Sequence, residues 1–126
     1  MPRYVVLFHE LPPDQERAAH WDLMLEWGGV LRTWALPREP APPLDCEAEQ
    51  LFDHRAIYLE YEGPVSGKRG SVTRWDEGEY HLEHDAEGAL TVVLNGRRLR
   101  GRLTLARKGV GSHFWRVSLP AAPTRG

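Results

Sequence analysis

Hydrophobic positions along this chain recur with the period of a strand rather than that of a helix. The stretch HWDLMLEW (20–27) alternates polar and apolar residues strictly, and RYVVLF (3–8) carries a β-branched strand signature. Gly28-Gly29 turns the chain into VLRTWAL (30–36), and the proline-rich REPAPPLD (38–45) is expected as an irregular connection. CEAEQLF (46–52) fits a strand or a short helical turn. AIYLEYEG (56–63) follows, with His54 and Tyr58 expected on one face of a strand led by Asp53, and then the loop PVSGKRG (64–70). SVTRWDEGEYHLEH (71–84) predicts a hairpin about Asp76-Glu77-Gly78. ALTVVLNGRRLRGRLTLAR (89–107) predicts one or two more, with Asn95-Gly96 as the strongest short turn signal. HFWRVSL (113–119) is the last strand, and residues 120–126 are expected as a frayed tail. Eight or nine short strands with turns between them predict an all-β fold. The expectation is a small antiparallel β-barrel of about eight strands with little helix, one domain over residues 1–119.

The 20–27 strand also carries candidate chemistry. With a side-chain period of two, Trp21, Leu23, Leu25 and Trp27 form the core face, and His20, Asp22, Met24 and Glu26 share the opposite, nominally solvent face. The bland explanation is a polar outer face. A same-face His-x-Asp pair nevertheless suits a divalent metal, because an imidazole and a carboxylate on one strand face can reach a common ion. His9, at the end of the preceding strand, is the candidate third ligand if the two strands pair. His81, His84 and His113 lie in or near hairpins and are expected at the surface. His20-x-Asp22 with His113 and Arg116-x-Ser118 also imitates the iron site of 2-oxoglutarate oxygenases. There, however, the arginine follows the distal histidine too closely, and 126 residues are tight for that fold.

Composition narrows the class. The length suits one hydrophobic core, and no apolar run approaches the roughly 20 residues of a membrane span. The start shows no signal-peptide pattern, and the single cysteine, Cys46, excludes an internal disulfide and is expected to be inert. A cytoplasmic location follows as the expectation. The net charge of −2 conceals an asymmetry: residues 1–63 hold 5 Lys/Arg against 12 Asp/Glu, and residues 64–126 hold 11 against 6. The basic excess gathers in NGRRLRGRLTLARK (95–108), which reads either as a phosphate-binding stripe or as a solvated strand face.

Taken in order, HWDLMLE, GVLRTWALPREP, DHRAIYLEYEG, GSVTRWDEGEY and GRRLRGRLTLAR followed by HFWRVSL resemble the 3′-phosphoesterase domain of bacterial DNA ligase D, the end-joining ligase. The resemblance runs from about Tyr4 to Leu119 with comparable spacings. It implies a small β-barrel with a Mn²⁺ site (other divalent ions such as Zn²⁺ or Co²⁺ being alternatives). It implies removal of a 3′-phosphate or 3′-terminal ribonucleotide from nucleic-acid ends during DNA repair. By the same resemblance His9, His20 and Asp22 are the metal ligands. His54 contacts the scissile phosphate, Tyr58 lies on the phosphate side, Arg38 is the basic residue after the WA-x-P motif, and Glu26 is structural. The implied partners are a nucleic-acid 3′ end and a ligase or polymerase acting in trans, with the barrel itself a monomer and no membrane involved. Three departures stand out: Met24 and Cys46 occupy positions where the family carries arginines, and the loop ELPPDQERAA between His9 and His20 is longer than usual. Arg17 or Arg55 is the expected source of replacement charge. The alternative reading is a catalytically weak or inactive relative that binds metal and nucleic-acid ends.

Overall fold

In the computed structural model, which describes residues 1–14, 18–67 and 69–121, nine strands form one antiparallel sheet that closes on itself. The strands are β1 Arg3–Glu10, β2 His20–Trp27, β3 Val30–Leu36, β4 Leu44–Arg55, β5 Gly63–Pro64, β6 Ser71–Ala86, β7 Ala89–Gly96, β8 Arg100–Arg107 and β9 Phe114–Leu119. Their order is β1-β2-β3-β4-β9-β8-β7-β6, and β6 pairs back onto β1, so eight strands make a closed barrel with the two-residue β5 added outside β6. Closure removes the free sheet edges that an open antiparallel sheet would expose. The expected all-β barrel is the fold observed. Residues 15–17, including Arg17, and the tail from residue 122 lie outside the described residues.

Gly28 and Gly29 both have positive φ (57° and 87°), and Trp27 pairs with Val30. Two left-handed central residues are what a two-residue hairpin turn needs to match the twist of its strands. The chain departs from expectation in three places. CEAEQLF belongs to the twelve-residue strand β4, while Ala56–Leu59 is a 3-10 turn. His54 and Tyr58 therefore do not share a strand face; one ends a strand and the other rides the turn. The hairpin expected about Asp76-Glu77-Gly78 is absent, because β6 runs unbroken for sixteen residues. Its first half pairs with β1 and its second half with β7, and the true reversal falls after Ala86. Asn95 and Arg100 are paired, so the β7–β8 reversal spans residues 96–99 rather than centring on Asn95-Gly96.

Alternation along the strands builds two cores. Tyr4, Val6, Leu23, Leu25, Trp34, Leu36, Val92, Leu103, Trp115 and Val117 point inward and fill the barrel. The intervening residues Val5, Leu7, Met24 and Leu31 face out. Leu59 of the 3-10 turn and Val72 of β6 join them in a second apolar cluster, with Tyr58, Tyr61 and Val65 packed against it. Arg74 ties the turn to β6: its guanidinium donates to the Leu59 carbonyl and pairs with Glu62 and Glu77. The face of β2 expected in solvent is thus covered, and His20, Asp22 and Met24 are buried. A strand with apolar neighbours on both sides buries polar side chains only when they are paired.

Candidate metal centre

Antiparallel pairing of β1 with β2 sets His9 directly opposite His20 and Leu7 opposite Asp22. All three polar residues occupy the outer face, at the margin of the second cluster. One ligand atom from each of His9, His20 and Asp22 lies within 4.8 Å of the other two, the one such grouping of three among the described residues. His9 Nδ1 is 3.5 Å from Asp22 Oδ2, and His20 Nε2 is 3.1 Å from Asp22 Oδ1. The two imidazoles meet edge to face with centroids 4.8 Å apart.

The remaining ring nitrogens are held by main-chain carbonyls. His9 Nε2 donates to the Arg69 carbonyl at 2.7 Å, and His20 Nδ1 faces the Ala18 carbonyl at 3.4 Å. A carbonyl only accepts, so these outer nitrogens carry the proton, and in the neutral ring the nitrogen that faces Asp22 keeps a lone pair. Lone pairs turned toward a carboxylate need either protons or a cation between them. Asp22 is 2% exposed, and its Oδ1, despite the nearby His20 nitrogen, has no hydrogen-bond partner among the described residues. Burial on its own would raise the Asp22 carboxyl; protons on the His20 and His9 nitrogens that face it outweigh burial and hold the group below the usual carboxylate range, and a divalent ion would take the place of those protons. Two imidazoles and one ionised carboxylate, each imidazole braced by a carbonyl behind it, fit a first-row divalent ion such as Mn²⁺ or Zn²⁺.

The loop before β6 supplies the brace for His9. A Cβ on Gly70 would fall 1.8 Å from the Glu10 carbonyl oxygen, and its φ is +87°. Only glycine lets this loop approach β1 closely enough to present the Arg69 carbonyl. The loop was legible as a loop, yet nothing in its composition marked Arg69. The Arg69 side chain also lines the concavity that holds His9, Asp22 and His54, and its guanidinium donates to the Ser66 carbonyl and hydroxyl.

His54 reaches the same concavity through a bulge. Thr33 pairs with Leu51 and Leu31 with His54, so β4 carries one extra residue between those two pairs. That insertion turns His54 onto the outer face, a frequent use of bulges beside active sites. His54 Nδ1 donates to the Phe52 carbonyl at 2.9 Å, leaving Nε2 as the other ring nitrogen. The Tyr58 ring stands edge-on to His54 with centroids 5.8 Å apart, and Arg55 lines the cavity with them. Arg38 is placed differently. Its guanidinium donates to the Asp45 carbonyl near the start of β4, the opposite end of that strand from His54, and it is not among the residues that line the two cavities around His9, Asp22 and His54. His113 lies before β9, outside the His9–His20–Asp22 group, and so takes no part in a site with His20 and Asp22. Glu26 accepts the Arg3 main-chain N–H at 3.0 Å, a structural bond.

Fold and cluster together define a small antiparallel barrel with a two-histidine, one-carboxylate group on its outer wall. The family model described as the DNA ligase D 3′-phosphoesterase domain matches residues 13–107, and the chain belongs to that family. The matched span contains His20, Asp22, Arg38, His54 and Tyr58 but begins after His9, whose place rests on the strand register. Among curated relatives, the multifunctional non-homologous end joining protein LigD of Pseudomonas aeruginosa is 34% identical over 115 residues, 83% of this chain and 13% of that protein. The corresponding Mycobacterium tuberculosis DNA repair protein is 37% identical over 100 residues, 72% of this chain and 13% of that protein. The chain therefore spans about an eighth of the length of these relatives. No helix among the described residues is long and apolar enough to cross a membrane.

Proposed function

We propose that this chain is a metal-dependent phosphoesterase that processes the 3′ ends of nucleic acid, removing a 3′-phosphate or a 3′-terminal ribonucleotide in DNA end joining. The observation that carries the proposal is the convergence of His9, His20 and a buried, ionised Asp22 whose Oδ1 has no hydrogen-bond partner among the described residues. Those three residues would hold Mn²⁺, with Zn²⁺ or Co²⁺ as substitutes. When bound, such an ion supplies charge neutralisation at a phosphate oxygen and lowers the pKa of a coordinated water. The chain's own groups do the rest. His54 Nε2 and the Tyr58 hydroxyl orient the phosphoryl group, and His54, when protonated, gives its proton to the leaving oxygen. Arg55 and Arg69, which line the same cavity, supply the positive charge that Met24 lacks. Arg38, engaged with Asp45, stands outside this set.

The rival reading is a module that holds metal and an end without cleaving it, and Met24 at an arginine position favours it. Loss of one stabilising donor costs roughly 10²- to 10³-fold in rate, so a slow enzyme and a pure binder differ in degree. Titration of the wild type with Mn²⁺, beside His20→Ala and Asp22→Ala, comes first; wild-type binding lost in both variants is the expected result. Incubation with a primer–template ending in a 3′-phosphate or single ribonucleotide follows. No Mn²⁺ binding by the wild type would overturn the metal centre, and bound but unaltered ends at high protein concentration would favour the module.

A further inference from the structure

Phe52 is 80% exposed on a strand whose neighbours serve the site. A single exposed aromatic ring is ordinary, but this one has two uncommon features. Its ring lies parallel to that of His54, with centroids 5.5 Å apart and an interplanar angle of 11°. It also lines, with His9, His20, Asp22 and Arg69, a cavity of about 320 Å³, at the small end of the range for sites that hold small molecules. The β4 bulge that turns His54 outward is the same irregularity that carries Phe52. The exposed ring is apolar area that a flat aromatic partner can cover with a gain in free energy.

We propose that Phe52 is a stacking platform for the nucleobase at a strand terminus, so that the site selects ends over internal phosphoesters. The inference rests on the nucleic-acid reading given above. A phosphoryl group at His54 and the metal cluster brings its own nucleotide's base within one sugar of the neighbouring Phe52 ring. Within a strand both faces of a base are covered by its neighbours; only at a terminus is one face free to meet an aromatic ring. Because every base has a π-face, such a platform is indifferent to base identity.

The test is steady-state kinetics with Mn²⁺ on primer–templates whose terminal nucleotide carries either a base or an abasic sugar. Phe52→Ala is expected to raise KM for base-bearing ends about tenfold, with kcat little changed, and Phe52→Trp to restore KM. On abasic ends wild type and Phe52→Ala should share one KM. If the wild type binds ends without converting them, dissociation constants for the same pairs replace KM, with quenching of a 3′-terminal 2-aminopurine as the signal for base-bearing ends and displacement of that labelled end as the signal for abasic ones. An unchanged constant on base-bearing ends would overturn the proposal. So would an equal rise on abasic ends, since the ring would then merely be supporting His54. Either result in an active wild type leaves the phosphoesterase reading intact. A wild type that neither binds Mn²⁺ nor engages ends sinks both.

Discussion

Met24 illustrates how a single side chain belongs to two neighbourhoods. It is 1% exposed among Val5, Leu7 and Leu31, and it also forms part of the floor of the cavity shared by His9, Asp22 and His54. Its apolar bulk helps cover the outer face of β2, which is why the His-x-Asp pair is buried rather than solvated. Met24→Ala should therefore cost about 2–4 kcal/mol of stability, read as a lower urea midpoint at unchanged slope. A loss below about 0.5 kcal/mol would show that the second cluster does not depend on this side chain. The residue types of the candidate metal group were legible from the His20-x-Asp22 spacing. The burial of Asp22 was not, because alternation on one strand cannot say whether the other face is covered.

Among the elements, β6 shows why turn-like composition can mislead. Asp76-Glu77-Gly78 has the residues of a turn, yet each serves an extended strand that passes from one partner to another. Asp76 is buried and accepts from the Tyr4 hydroxyl at 2.5 Å and from the Arg98 and Leu99 N–H groups at 2.8 and 3.1 Å, pinning the β7–β8 loop against β1. Gly78 is present because a Cβ there would lie 2.3 Å from the Asn95 carbonyl oxygen and 2.5 Å from Gly96 Cα. Glycine inside a strand often marks such a close backbone approach. Both obstacles are main chain and cannot swing aside, so Gly78→Ala should destabilise by about 3 kcal/mol in denaturant titration. A near-neutral result would contradict the close β6–β7 crossing. A similar limit applies to β4 and the turn after it. DHRAIY reads as extended in sequence, but Leu59 is drawn down into the second cluster by a 3-10 turn.

Across the whole molecule, closure of the barrel assigns the charged surfaces. Strand β8 lies four strands from β2 in either direction, so the basic run 95–108 is on the side away from His20 and Asp22. Several of its cations are engaged there: Arg102 with Glu83, Lys108 with Glu47, and Arg98 over the Trp75 ring. The solvated-face reading of that run suits this placement better than a phosphate track leading into the site. Closure also buries tyrosines that respond to alkali. The Tyr80 hydroxyl donates to the Glu26 carbonyl, and burial, with Glu26 nearby, pushes its pKa up to about 12. An unfolded tyrosine ionises near pH 10, so between about pH 10 and 12 the unfolded chain holds fewer protons than the folded one. Stability should stay level up to about pH 10 in this respect and fall as pH rises toward 12. Tyr80→Phe should flatten that fall, and identical slopes for the two proteins would refute the assignment. By itself, the sequence determined the strand period, the barrel class, the family and the identity of the His-x-Asp pair, because these follow from local alternation and ordered motifs. Only the tertiary structure decided that His9 faces His20, that a bulge turns His54 and Phe52 to the same wall, and that Arg38 is held on β4. Register, bulges and cover over a face arise between strands distant in sequence, and no local pattern encodes them.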